Sequence, residues 1–176
     1  MLIRECVPSA DPRIFQLFDA WLAARDGQAV TRRSAFDPLP IGPLLSFMWI
    51  YRKCSEQDDY VCELAGEDVN DAWRGSIKGH SLRQIVGDEH QPILAARWAT
   101  VLGEPAILYS SMERFPAPHL IYRVERLVLP MISDTGKIDS VLGISLYDQR
   151  RERASVGHGA SGTVPDTVVK IPVADL

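Results

Sequence analysis

Cysteine is scarce in this chain: Cys6, Cys54 and Cys62 are the only three among 176 residues. They form no CxxC pair and no cysteine–histidine spacing suited to zinc, and an odd, sparse set provides no disulfide framework of the secreted kind. Long apolar runs are missing too. Nothing approaches the roughly 18 consecutive apolar residues of a membrane-spanning helix. The start, Met1-Leu2-Ile3-Arg4-Glu5-Cys6, lacks the apolar stretch of a secretion signal. A reduced cytoplasm is therefore the expected compartment. Positive charge is not in excess: 19 basic and 23 acidic side chains leave a net charge of −4, which gives no reason to expect nucleic acid as a partner. No GxSxG pattern presents a serine for nucleophilic attack.

Apolar material is plentiful. At 46% hydrophobic, the chain has enough for the core of one globular domain. Asp11-Pro12 reads as a helix start, with Asp capping free N–H groups and Pro fitting the first turn. Ile14, Phe15, Leu17, Phe18, Trp21 and Leu22 follow at helical spacing, and Gly27 closes the helix. The proline-rich stretch to Pro43 reads as irregular, and Phe47 to Cys54 with Tyr60 to Leu64 as a hairpin. Short helical turns punctuated by Gly75, Gly79 and Gly87 come next, then a longer helix from near Asp88 to Leu102.

Three strands are expected after it, at 106–113, 119–131 and 138–147, the last two joined by the Ser133-Asp134-Thr135-Gly136-Lys137 turn. The order of elements predicts an α+β domain over residues 1–149. From Arg150 the composition shifts, so 150–176 is expected to be a mobile tail. Within it Thr167, Val169, Ile171 and Val173 alternate as a strand would, and Pro172 restricts such a strand to a sheet edge. Gly157-His158-Gly159-Ala160-Ser161-Gly162 matches GxGxxG in letters only, because no strand precedes it and no helix follows.

The helix ending at Gly27, the Asp37-Pro38-Leu39 breaker, Leu64-Ala65-Gly66, Gly79-His80-Ser81-Leu82, and Glu125-Arg126-Leu127-Val128-Leu129-Pro130 followed by Gly143 together resemble a PAS-domain family common in alphaproteobacteria. Their order and spacing carry the resemblance, which covers roughly Pro12 to Asp148. It implies a five-stranded antiparallel sheet in the order 2-1-5-4-3, with short helices on one face and an N-terminal flanking helix. It also implies a sensory or regulatory role rather than catalysis. No kinase, cyclase or DNA-binding region follows the domain, so output is expected to pass through a partner. The cysteine-centred flavin motif of light-sensing relatives is absent, and the resemblance names no cofactor.

Trp73, Trp98, Tyr109 and Tyr122 are collectively the candidate lining of an apolar pocket with donors for orientation, while for any one of them ordinary core packing is the competing reading. By alternation Tyr122 and Arg126 share one face of their strand, with Arg123 and Glu125 on the other; Arg126 is the candidate partner of a carboxylate ligand, against the more ordinary reading of a charge paired on the sheet surface. His80, His90, His119 and His158 make no metal spacing. The resemblance makes His90 the one candidate axial haem ligand, since some PAS relatives hold haem through a histidine on the corresponding helix, although an exposed polar role is the common case near a helix start. No catalytic or metal-binding residue is expected. Phe15, Phe18, Trp21 and Leu22 form a stripe that can pack on its own sheet, serve as the candidate interface of a homodimer, or do both with different sides of the helix. Two other classes compete with a small-molecule sensor: a ligand-free module that docks through the N-terminal helix or the tail strand, and a small cone-shaped α+β enzyme with acid–base groups inside the cone.

Overall fold

The computed structural model describes residues 3–117, 120–151 and 167–176, with the backbone alone described at 113–117, 120–122 and 148–151. After a single turn, α1 (Ile3–Cys6), comes α2 (Pro12–Ala23). Asp11 caps it by accepting the Arg13 N–H at 2.9 Å, and Pro12 occupies the first turn, where its missing donor is not needed. The helix stops short of Gly27; Asp26 and Gly27 both take positive φ and turn the chain back. A two-residue strand β1 (Thr31–Arg32) and a series of 3₁₀ turns over Leu39–Phe47 then lead into the main sheet.

That sheet is built from β2 (Met48–Cys54), β3 (Asp59–Ala65), β4 (Ala106–Ala117), β5 (Leu120–Ile132), β6 (Ile138–Arg151) and β7 (Thr167–Pro172). Between β3 and β4 lie α3 (Glu67–Ala72) and α4 (Leu82–Gly103). The strands run in the order β3-β2-β6-β5-β4-β7, antiparallel throughout, while β1 pairs parallel with the end of β5. Without β1 and β7 this is the five-stranded 2-1-5-4-3 arrangement, so the expected sheet is present and two strands larger.

Alternation divides the sheet into two apolar faces. Met48, Ile50, Ile107, Leu127, Leu129, Leu142 and Ile144 face α2 and bury Ile14, Leu17, Phe18 and Trp21. Trp49, Tyr51, Leu108, Val128 and Val141 face α3 and α4. Trp21 fixes α2 against its face: its indole N–H donates to the Pro130 carbonyl at 2.9 Å, while its own carbonyl accepts from Thr31 Oγ1 at 2.6 Å. Phe18 and Trp21 are completely buried in this packing. They are therefore removed from the surface that a dimer contact would need, and Phe15 and Leu22, half-buried, pack against the same core.

The expected tail divides into three parts. Arg150 and Arg151 complete β6, the GxGxxG-like segment falls outside the described residues, and β7 forms a sheet edge beside β4. Ile171 and Val173 enter the α2-side core, and Val173 N–H donates to the Pro105 carbonyl at 2.8 Å. Replacing Ile171 with alanine should cost roughly 2–5 kcal/mol, the usual range for emptying a buried aliphatic site. Urea unfolding measures it; a loss within about 0.5 kcal/mol, as at an exposed position, would show that β7 is not held in the core.

Candidate functional site

The helix α4 does not close against the sheet along its whole length. A cavity of about 610 Å³ remains between α4, the end of α3 and the sheet, a size suited to a small molecule. Its floor is Trp49, Tyr51, Met112, Arg126, Ser145 and Tyr147; α4 contributes Val86, His90, Ile93, Leu94, Arg97 and Trp98; Val69 and Trp73 complete the wall. Trp73 and Ile93 are large apolar side chains left 41% and 53% exposed. The apolar lining thus continues out to solvent.

Trp98 organises the inner end. Its ring centroid lies 5.3 Å from Trp49 in a stacked pair, 4.9 Å from Tyr51 and 5.0 Å from Tyr60, the last edge-on. These separations and angles are those that aromatic quadrupoles favour. Trp49 can lie flat across β6 because its cross-strand partner is Gly143, where a Cβ would collide with the benzo ring of the indole. The ring then reaches Ser145 and donates its N–H to Oγ at 2.9 Å. Gly66 has an equally tight role: a Cβ there would run into the Leu45 and Ser46 carbonyls, against which the chain turns from β3 into α3.

The cavity's roof is a broken helix. Ser81 and Gln84 form a reciprocal capping box at its start, and Gly87, with φ +81°, interrupts it before the segment that carries His90 to Trp98. Asp59, at the first position of β3 and buried, ties both pieces down: its carboxylate accepts from the Arg83 N–H at 3.2 Å, from Gln91 Nε2 at 3.0 Å and from the Tyr60 N–H at 2.8 Å. Burial pushes this carboxyl upward, but the hydrogen bonds from Tyr60, Gln91, Arg83 and Ser81 outweigh it and hold Asp59 below its ordinary value.

The other titratable groups at the inner end move the opposite way. Burial pushes Tyr60 up to about 12 and the Cys62 thiol up to about 11, and it raises Tyr51 further still, with a smaller contribution from Cys62. All three stay neutral at pH 7, so they can offer hydrogen bonds but neither a phenolate nor a thiolate. No group of three or more His, Cys, Asp or Glu among the described residues could hold a metal ion.

Of the residues singled out from sequence, Trp73, Trp98 and Arg126 come together in this cavity. Tyr109 does not. It lies one residue out of phase with Leu108 and Met112, faces the α2 side and donates from its hydroxyl to Glu125 Oε2 at 3.3 Å. The Tyr122 side chain, His119 and His158 lie outside what is described. His90 stands exposed on the cavity's lining. Arg123 and Glu125 share the opposite face and pair at 2.8 Å, beside a polar niche of about 320 Å³ that Asp11 and Arg13 complete.

Sequence reasoning misses Trp49, Tyr51, Ser145 and the second cavity arginine, Arg97. The available signal is Gly143, a strand glycine with no turn to make, which marks a large side chain crossing over it.

A single, mostly antiparallel sheet in this order, with a ligand-sized cavity beneath a helix on one face, defines the class of the domain as an α+β fold with helices packed on the sheet. The PAS-domain family profile matches residues 10–146. The chain belongs to the PAS-domain family, whose members are generally sensory. No curated protein matches it. None of the described helices is long and apolar enough to cross a membrane.

Asp59 and Gly143 yield separate tests. Asp59→Ala leaves three donors without their acceptor and should lower stability by at least about 2 kcal/mol. Because the folded carboxyl sits below its unfolded value of 3.8, its contribution is complete above that value and is lost as the pH falls through the lower folded one. The stability gap between wild type and Asp59→Asn should be flat from about pH 6 to 8 and narrow in strong acid; a gap that widens in acid would contradict this. Gly143→Ala should displace Trp49 at a cost of roughly 1–3 kcal/mol, read by urea unfolding together with a shift in tryptophan emission.

Proposed function

We propose that this protein is a regulatory sensor that binds a small, largely apolar molecule between α4 and the sheet and passes its occupancy to a partner or a second copy of the chain. The observation behind this reading is the aromatic cavity itself: ordered floor, apolar walls, a few polar atoms and an open mouth. A filled interior, as a pure docking module has, would need no such space. The neutral Tyr51, Tyr60 and Cys62 speak for binding over acid–base chemistry.

Signalling would be a shift between two placements of α4 about Gly87, with the ligand favouring the placement it contacts better. The outward side of α2 presents Gln16 and Asp19, so an output contact there would be polar. A dimer, in this proposal, would not use the buried Phe18 and Trp21.

Native and denaturing mass spectrometry of the purified protein tests the reading. The expected result is a small-molecule adduct seen only in the native spectrum and absent from Leu94→Trp, which fills the cavity. A bare native spectrum, together with no thermal stabilisation by any member of a library of small apolar compounds, would overturn it.

A further inference from the structure

The charge of the cavity says what kind of molecule it takes. The chain as a whole is acidic, with a net charge of −4, yet the cavity carries Arg97, Arg126 and His90 and no acidic residue among its described lining. Two guanidiniums in an apolar, aromatic site are costly to desolvate unless something neutralises them.

The contrast within one strand is direct. Arg123, on the α2 side of β5, is paired with Glu125 at 2.8 Å. Arg126, further along the strand and facing the cavity, meets no carboxylate among the described residues. Its contacts are Met112 Sδ at 3.9 Å and the face of Tyr147, whose centroid lies 6.0 Å away. Neither neutralises a full positive charge.

A second donor stands beside it. Ser145 is the cross-strand partner of Arg126, and its buried Oγ already accepts the Trp49 indole N–H. The hydroxyl hydrogen is therefore left to donate. A guanidinium fork and a hydroxyl on adjacent strands match the two oxygens of a carboxylate, and the stacked Trp49 and Trp98 rings beside them suit a flat body.

We propose that the ligand is an amphipathic anion, a flat aromatic or unsaturated carboxylate, with its carboxylate on Arg126 and Ser145 and its body between Trp98 and Leu94. This rests on the reading that the cavity is the ligand site. A cationic ligand would face two like charges there, and a neutral one would leave Arg126 without a counter-ion among the described residues.

The test is isothermal titration with a matched pair of probes, 2-naphthoate and 2-naphthamide, against wild type and Arg126→Met. Wild type should bind the carboxylate roughly tenfold or more tightly than the amide, with the preference shrinking as salt is raised. Arg126→Met should bring the carboxylate down to the level of the amide, with a cooperative urea unfolding transition showing that the variant is folded. Equal binding of both probes by wild type, or a preference that survives in Arg126→Met, would overturn the anion assignment and leave the cavity reading standing. Binding of neither probe by wild type would overturn the assignment of a flat carboxylate, and the cavity reading falls with it only if the native spectrum is also bare and no library compound stabilises the protein.

Discussion

The hydrogen bonds gathered by Asp59 are the interaction on which the cavity depends. Helix α4 is broken at Gly87, and of its first piece only Leu82 is fully buried, whereas the second buries Trp98, Val101 and Leu102. The buried carboxylate reaches the first piece through the Arg83 N–H and the second through Gln91. A charged acceptor with several donors is worth more than the same number of neutral bonds, because it would be costly to bury unpaired. With that clamp at one end and the Trp98 cluster at the other, the stretch between can stand off the sheet without collapsing onto it.

The two faces of the sheet are covered to different standards. On one side α2 lays Ile14, Leu17, Phe18 and Trp21 directly on the strands and leaves nothing of them exposed. On the other side the aromatic rings are packed against one another, and the space beside them is left open. Close packing is what proteins do by default, so the looser face is where function is to be sought. The polar niche on the α2 side has its charges paired with one another, whereas among the described residues no acidic side chain lines the cavity on the α4 side.

Much of this architecture is legible in the amino acids alone. Period 3.6 in Ile14 to Leu22, the capping pair Asp11-Pro12 and the turn at Asp134-Thr135-Gly136 locate the helix and the β5–β6 hairpin. What the residues conceal is phase. A strand buried on both faces carries apolar residues at every position, so Met48-Trp49-Ile50-Tyr51 and Ala106-Ile107-Leu108-Tyr109 offer no alternation from which to choose a face. This one ambiguity puts Tyr109 on the wrong side and hides Trp49 and Tyr51. Likewise the apolar stripe of α2 is plain, but whether it meets a second subunit or its own sheet depends on tertiary contacts such as the Trp21–Pro130 bond. The partner of β7 is equally hidden, since its alternation identifies a strand without naming the edge it joins.

Neighbouring residues on a strand point to opposite faces, and β5 puts that rule to use at Glu125 and Arg126. Arg126 is in the floor of the cavity. Glu125, immediately before it, accepts the backbone N–H of Asp11, the residue that caps α2, at 2.9 Å. The two sides of the sheet are thus joined by a single peptide unit. The distance from the cavity to the start of the N-terminal helix is the thickness of one strand, with no chain of intervening side chains to cross.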